Sequence, residues 1–141
     1  MRDQESIVYG CIKDVAEFDL QQRKINRAAI LALPRADGFA FLSQEMFTLP
    51  ALMPAPGSYQ TEVMHFGASY QAIEYEWSQW IRAFEQLLEK MYWHSAVVHL
   101  ETELAGTHSF YWQATNNRHV PDSGRLSVRC EWVRERGLMS A

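Results

Sequence analysis

The chain has 141 residues, enough for one folded domain, and 48 % hydrophobic with 21 % charged residues predicts a packed core rather than disorder. The formal net charge is −4 and the only lysines are Lys13, Lys24 and Lys90, so the clustered basic surface of a nucleic-acid binder is not expected. The polar start, MRDQES, does not resemble a signal peptide, and no apolar run approaches the roughly 18 residues of a membrane span, so we expect a cytoplasmic protein.

The cysteine content is low. Cys11 and Cys130 are the only cysteines, they form no CxxC pair, and each lies in an apolar run that predicts a strand. Two buried thiols are therefore expected rather than a disulfide.

The first elements predicted along the chain are a strand and a helix. Residues 6–13, SIVYGCIK, predict a strand, and Asp14 is a candidate N-cap for a helix over residues 15–33 that Pro34 ends. The predicted apolar side of this helix consists of Phe18, Ile25, Ala28, Ala29 and Ala32.

Two short strands and a loop are predicted next. Residues 38–43, GFAFLS, predict a strand, and residues 59–67, YQTEVMHFG, predict another. Between them lies QEMFTLPALMPAPGS, which has three prolines and no hydrophobic period and therefore predicts a loop.

The strongest periodic signal predicts an amphipathic helix over residues 70–91. Tyr75 falls on its polar side, which is unusual for an aromatic residue. We expect the helix to face the core through Trp77, Ile81, Phe84 and Leu88.

The last third of the chain predicts strands only. A strand over 94–104, a turn at AGT (105–107) and a strand over 108–114 predict a hairpin, and after a loop the last strand spans 125–133. The predicted order is βαββαβββ, whose first six elements match a ferredoxin-like pattern. We therefore expect an α+β two-layer sandwich in which both helices cover one face of a largely antiparallel sheet of about five to six strands.

The segment VVHLETEL, residues 97–104, is the main candidate for function. Strand alternation puts Val98 and Leu100 on one side and His99, Glu101 and Glu103 on the other. These three side chains could bind a metal, form an acid–base set, dock a basic partner, or lie on a solvated face beside Arg125 and Arg129.

A metal site is disfavoured by the spacing of these side chains, and an enzyme by the absence of a catalytic motif. Side chains two apart on a strand are about 6.5–7 Å apart, which is wide for one metal ion. The sequence contains no HExxH, CxxC, P-loop, GxGxxG or nucleophile-elbow motif, so no cofactor and no enzyme class is indicated.

The proline-containing loop offers a second candidate surface. Met46 and Phe47 lie in an apolar cluster without period, which predicts either a lid on the core or a partner-binding loop. Tyr75 could add an aromatic anchor to such an interface.

Three stretches, SIVYGCIKD, LSQEMFTLP and HFGASYQAIEYEWSQWIRAFEQLLEKMYWHSAVVHLETELAGTHSFYW, together resemble the small cytoplasmic immunity proteins encoded beside toxins in bacterial polymorphic-toxin and type VI secretion loci. The resemblance covers roughly two-thirds of the chain and consists of an aromatic-rich EYEW…W…FE.LL helix that leads into a hairpin. It implies an inhibitor that binds one cognate toxin, occludes its active site and has no catalytic residues.

The leading hypothesis is therefore a binding protein whose partner is a toxin. His99, Glu101 and Glu103 are predicted to dock a basic surface, with Met46, Phe47 and Tyr75 as apolar and aromatic contacts. Two rivals are a small enzyme that uses the His/Glu face and a structural subunit of a larger assembly. An enzyme would need a concave site, whereas an inhibitor can present a flat face.

Overall fold

In the residues that the structure describes, five strands and two helices form the fold, in the order βαβαβββ. The structure is a computed structural model that describes residues 5–14, 19–36, 41–53, 63–124 and 126–133. Neither helix in these ranges combines the length and hydropathy needed to cross a membrane. The elements are β1 (Glu5–Lys13), α1 (Leu20–Leu31), β2 (Val63–Gln71), α2 (Trp77–Glu89), β3 (Ser95–Thr102), β4 (Gly106–Gln113) and β5 (Val128–Val133), with short 3-10 helices at Gln44–Met46 and Ile73–Glu76.

The strands form one antiparallel sheet in the order β2-β1-β3-β4-β5. Since β2 and β3 are both antiparallel to β1, they are parallel to each other, and α2 connects them across the central strand. This split βαβ unit is half of a ferredoxin-like pattern. The remaining strands follow β3 as a meander, and the α+β class with a largely antiparallel sheet is confirmed.

The strand predicted at 38–43 is where the element order differs. Residues 41–43 form bends and extended backbone outside any strand, and residues 38–40 lie outside the described ranges. The chain approaches β2 slightly later, where Phe47 makes an isolated bridge to Phe66 and the N–H of Thr48 donates to the carbonyl of His65 at 2.9 Å. Pairing does not continue into a strand because Pro50 has no N–H to donate.

Helix α1 begins later than predicted, and its cap is a different aspartate. Asp19 accepts a hydrogen bond from the backbone N–H of Gln22 at 3.1 Å and is the N-cap. Asp14, the predicted cap, is instead buried and accepts two hydrogen bonds from Arg118, at 2.6 and 2.9 Å. The predicted residues 15–18, including Phe18, lie outside the described residues.

The buried side of α1 also differs from the predicted one. Asn26 and Ile30 are its buried residues, whereas Ala28 and Ala32 are exposed. Asn26 makes two hydrogen bonds to the main chain of Tyr92. The side-chain amide of Asn26 donates to the carbonyl of Tyr92 at 2.9 Å, and the N–H of Tyr92 donates to Oδ1 of Asn26 at 2.7 Å. The hydrophobic pattern could not identify the buried side of α1, because the residue at the centre of that side, Asn26, is polar.

The predicted start of the second helix is wrong, because β2 extends to Gln71. Ala72 has φ 54, in the left-handed region, and this turn separates β2 from the 3-10 helix. Tyr70 is therefore a strand residue: its hydroxyl donates to the carbonyl of Phe41 and accepts from Nε1 of Trp80 at 3.1 Å.

Helix α2 supplies the centre of the core. The Phe84 ring lies 5.3 Å from that of Phe66, 5.4 Å from that of Trp80 and 5.1 Å from that of Trp112. Of the four predicted core-facing residues, Phe84 and Leu88 are fully buried, and Trp77 and Ile81 pack half-buried at its margin. The inner face of the sheet contributes Val8, Ile12, Met64, Phe66, Ala96, Val98, Leu100 and Trp112.

Phe84→Ala should lower the free energy of unfolding by about 3–5 kcal/mol, because the ring is fully enclosed and its removal leaves a cavity. Tyr75→Ala is a matched control, since Tyr75 is 77 % exposed, and should change stability by less than about 0.5 kcal/mol. Both values come from denaturant unfolding. A loss below about 1 kcal/mol for Phe84→Ala would contradict this core assignment.

Candidate docking face on the open sheet

The sheet has one face under the helices and one face away from them, here called the open face. None of the open-face residues whose exposure is described is buried. Strand register places them in rows across the sheet. Successive rows are Ser69–Ile7–Glu101–Thr107, then Gly67–Tyr9–His99–Ser109–Glu131, then His65–Cys11–Val97–Tyr111–Arg129, then Val63–Lys13–Ser95–Gln113.

The structure brings two of the three predicted polar residues onto this face. His99 and Glu101 point away from the helices, as the alternation of β3 predicts. Glu103 lies past the end of β3, in the turn, where its Oε1 accepts from the backbone N–H of Glu5 at 3.1 Å. The hairpin turn therefore comes at residues 103–105, slightly earlier than predicted.

A small hydrogen-bonded network occupies the middle of the open face. The Tyr9 hydroxyl donates to Oε2 of Glu101 at 2.5 Å, and the Tyr9 ring lies 5.0 Å from the imidazole of His99. Nδ1 of His99 is 2.7 Å from Oγ of Ser109 on the neighbouring strand. The network spans β1, β3 and β4, so its side chains are held by the rigid part of the sheet.

The hydrogen bond to Glu101 changes the titration of Tyr9. A tyrosinate could not donate to the carboxylate and would be repelled by it, and partial burial adds to the effect. Together these raise the pKa of Tyr9 from 10.0 to about 12. At neutral pH Tyr9 is therefore a fixed donor, and Glu101 is an oriented anion.

Charge is unevenly distributed over the open face. Glu101 and Glu131 lie in the rows toward one end, and Lys13 and Arg129 lie toward the other. Arg129 was predicted beside the glutamates of VVHLETEL, but its guanidinium lies 4.8 Å from the Tyr111 ring and 3.9 Å from Glu131. Arg125 lies outside the described residues.

The expectation of two buried thiols is wrong. Cys130 is exposed on edge strand β5, and Cys11 is half-exposed on the open face. The apolar runs around both cysteines concealed the side to which each thiol points. Burial raises the pKa of Cys11, and burial together with Glu131 raises that of Cys130, so neither thiol is activated as a thiolate.

The open face is not flat. A depression of about 510 Å³ lies toward its basic end, between Cys11, Val97, Tyr111 and Arg129. Within the described ranges no three His, Cys, Asp or Glu side chains are placed to hold a metal ion. The His99–Ser109 contact has the distance of a base–nucleophile pair, but Glu101, the nearest predicted carboxylate, hydrogen-bonds to Tyr9.

The predicted residues of the proline-containing loop lie elsewhere. Phe47 is 7 % exposed, and its ring packs 5.0 Å from the Phe66 ring. Phe47 therefore lies on the core as a lid, the first of the two arrangements predicted for this loop. Met46 is half-buried, with its sulfur 3.8 Å from the Tyr70 hydroxyl. Tyr75 is exposed in the 3-10 helix that follows β2, close to the acidic end of the sheet.

Two members of the network, Tyr9 and Ser109, were not among the residues singled out from the sequence. Ile7, Tyr9 and Cys11 are every second residue of SIVYGCIK and share one side of the strand. The side of Tyr9 could therefore be predicted once the inner face was known. Its partner could not be predicted, because Tyr9 and Glu101 are 92 positions apart in the sequence.

The Tyr9–Glu101 hydrogen bond should make stability depend on alkaline pH. Because the folded-state pKa of Tyr9 is raised, its contribution is fully present below pH 10.0 and is lost as pH rises through about 12. The difference in unfolding free energy between the native chain and Tyr9→Phe should therefore shrink over this range in denaturant titrations. In a Glu101→Gln background the variation with pH should be smaller, because the carboxylate charge is removed while burial and a neutral acceptor remain, and a native-background difference that stays constant would contradict the assignment.

Comparisons with known proteins complete the description of the site. No protein-family model matches the chain, and searches of curated proteins and of solved structures also find no match. The argument about function therefore depends on the geometry of the open face and on the sequence.

Proposed function

We propose that the chain is an immunity protein that binds a cognate bacterial toxin in the cytoplasm and occludes its active site, with the open face as the docking surface. The observation that supports this proposal most directly is a broad sheet face that the helices leave uncovered. On it Ile7 is 42 % exposed and Tyr9 is 37 % exposed, beside the oriented carboxylate of Glu101.

The shape and composition of the face favour a protein partner. Its side chains stand in rows on adjacent strands, and its depression is about half open to solvent, whereas small-molecule sites enclose most of their ligand. Tyrosine is enriched in protein interfaces, and Tyr9 and Tyr111 are both on this face. Strands and the Tyr9–Glu101 bond hold these groups in place before binding, which reduces the entropy lost on association.

The charge distribution indicates what the partner should present. The rows with Glu101 and Glu131 suit a basic surface, in keeping with the net charge of −4. The rows with Lys13 and Arg129 suit an acidic neighbour of that surface. A partner that carries both signs in the matching order would be selected over one with a uniform charge, because like charges across an interface are costly.

The inhibitory step itself needs no chemistry from this chain. An inhibitor that covers the catalytic cleft of its target excludes substrate by occupancy, so affinity and orientation are sufficient. The resemblance of the EYEW helix and the following hairpin to immunity proteins supports this mode of action.

A second candidate function is supported by one contact. The 2.7 Å separation of His99 Nδ1 and Ser109 Oγ would suit a serine hydrolase in which His99 acts as the base. The hydrolase can be tested without a toxin, since a fluorophosphonate probe should label Ser109, and Ser109→Ala should abolish both labelling and hydrolysis. Absence of labelling in the native chain would remove the hydrolase from consideration.

The proposed function is tested with the genes that flank the one encoding this chain. Each is expressed in a bacterial host, alone and together with this chain. We expect one product to arrest growth when expressed alone and to be neutralised on co-expression, with a stoichiometric complex on purification. If no toxic product is neutralised, the immunity function is contradicted.

The docking face is tested with the double variant Glu101→Lys, Glu103→Lys. Close charge pairs across an interface couple by about 1.5–7 kcal/mol, so affinity for the toxin should fall by more than about tenfold. Glu101→Lys removes the acceptor of the Tyr9 hydroxyl, and one such hydrogen bond contributes about 0.5–1.5 kcal/mol, so the melting temperature should fall and affinity is compared well below it. Affinity is measured by titration calorimetry on the purified complex partners.

The control is Glu76→Lys, Glu89→Lys, which makes the same change in net charge at exposed positions at the two ends of α2. It should retain affinity. Equal losses in both double variants would show a nonspecific effect of net charge, and intact binding in the Glu101, Glu103 variant would place the interface away from the acidic rows.

A further inference from the structure

Strand β5 differs from the other strands in being exposed on both of its sides. Helix α2 extends over the sheet as far as β4, where the Trp77 ring lies 5.3 Å from Phe110 and Nε1 of Trp112 donates to Glu85 at 2.8 Å. On the same side of β5, Trp132 is 49 % exposed and Val128 is 42 % exposed. The apolar surface on the helix side of the sheet therefore extends beyond the part that α2 covers.

The two edges of the sheet also differ in whether another segment pairs with them. The outer edge of β2 is occupied by the Phe47–Thr48 segment, which bridges Phe66 and His65. In the described part of the chain, β5 pairs along one edge only, with β4. Main-chain groups on such an edge can pair with another strand, and natural proteins usually prevent this with repelling charges or bulges.

The sequence of β5, VRCEWV, is complementary to itself in one antiparallel register. If Cys130 is opposite its counterpart in a second copy, Arg129 is opposite Glu131 on the open-face side, and Val128 is opposite Trp132 on the helix side. Both pairs occur twice by symmetry. Opposite-charge and aromatic–aliphatic cross-strand pairs both stabilise antiparallel pairing.

The neighbouring registers are disfavoured by charge. A shift of two positions in one direction places Arg129 opposite Arg129, and the opposite shift places Glu131 opposite Glu131. Like charges directly opposite each other are destabilising. A shift by one position would exchange the apolar and charged sides of one strand. The charges on β5 therefore select the Cys130-centred register instead of blocking the edge.

We propose that β5 is the interface of a homodimer, in which two copies pair antiparallel about a twofold axis at Cys130 and their five-stranded sheets become one continuous sheet. The occupant is a second copy because the complementarity is internal to this strand, as an isologous interface requires. The strand is only six residues long, so the interface is small and the dimer dissociates on dilution. The proposal does not depend on the immunity function.

Sedimentation of the full chain from low to high micromolar concentration tests the proposal. The native chain should shift from monomer to dimer. Arg129→Glu and Glu131→Arg, tested singly, each place like charges opposite each other and should shift the dissociation constant at least tenfold higher. The double variant, which exchanges the two charges, should recover dimerisation. A monomeric native chain at high micromolar concentration, or a double variant no better than the single ones, would overturn the proposed register.

Disulfide trapping tests the position of the axis. Directly opposite strand residues have Cα atoms about 4.5–5.5 Å apart, within the range of about 4.4–6.8 Å for a disulfide. With Cys11→Ser, oxidation by diamide at about pH 8.5, where the raised pKa of Cys130 still allows some thiolate, should give a covalent dimer.

The matched control is Cys130→Ser, which retains Cys11 on the open face and should form no covalent dimer under the same oxidation. A second control adds Glu131→Arg to Cys11→Ser and should reduce trapping to the extent that it weakens the dimer. Trapping through Cys11, or trapping that Glu131→Arg leaves unchanged, would contradict the proposal. Circular dichroism and thermal melting of each variant confirm that the fold is retained.

Discussion

Packing of α2 against one face of the sheet is the interaction on which the rest of the structure depends. Phe84 contacts rings from β2, β4 and α2 itself, so a single side chain links three elements. This contact fixes which alternate residues of each strand point inward. Every open-face position is then determined, since a strand cannot turn one residue inward without turning the next outward. The Tyr9–Glu101 pair and the His99–Ser109 pair are consequences of that choice.

Buried polar contacts complete the layer around this core. Asp14 and Arg118 form a two-point ion pair that connects the end of β1 to the loop before β5. Asn26 binds both main-chain groups of Tyr92 and thereby joins α1 to the segment after α2. If such a contact is broken, a buried polar group is left without a partner, which is costly. These pairs therefore fix the positions of α1 and the loop more precisely than apolar contacts could.

Hydrophobic period and alternation predicted the strong elements of the fold. The α+β class, helix α2 and the β3–β4 hairpin followed from them, as did the outward position of His99 and Glu101. Where the structure departs, a polar or long-range interaction decides. Asn26 determines which side of α1 is buried. Asp14 binds Arg118 instead of capping α1. Tyr70 fits the helical spacing of the sequence, but its hydrogen bonds are those of a residue in β2. The open-face network was only half predictable, because register between distant strands is not encoded locally.

The position of β1 between β2 and β3 has a consequence for synthesis of the chain. Its neighbours on the two sides come much later in the sequence, since Glu5 pairs with Gln71 and Ser6 pairs with Thr102. As the chain leaves the ribosome, the first strand therefore waits with both edges unpaired until β2 has been made, and with one edge unpaired until β3 follows. Folding is then governed by closure of long loops, which is slow compared with helix formation. During this interval SIVYGCIK is the segment most open to nonnative pairing, and we expect chaperones to have their largest effect on the yield of the native protein there.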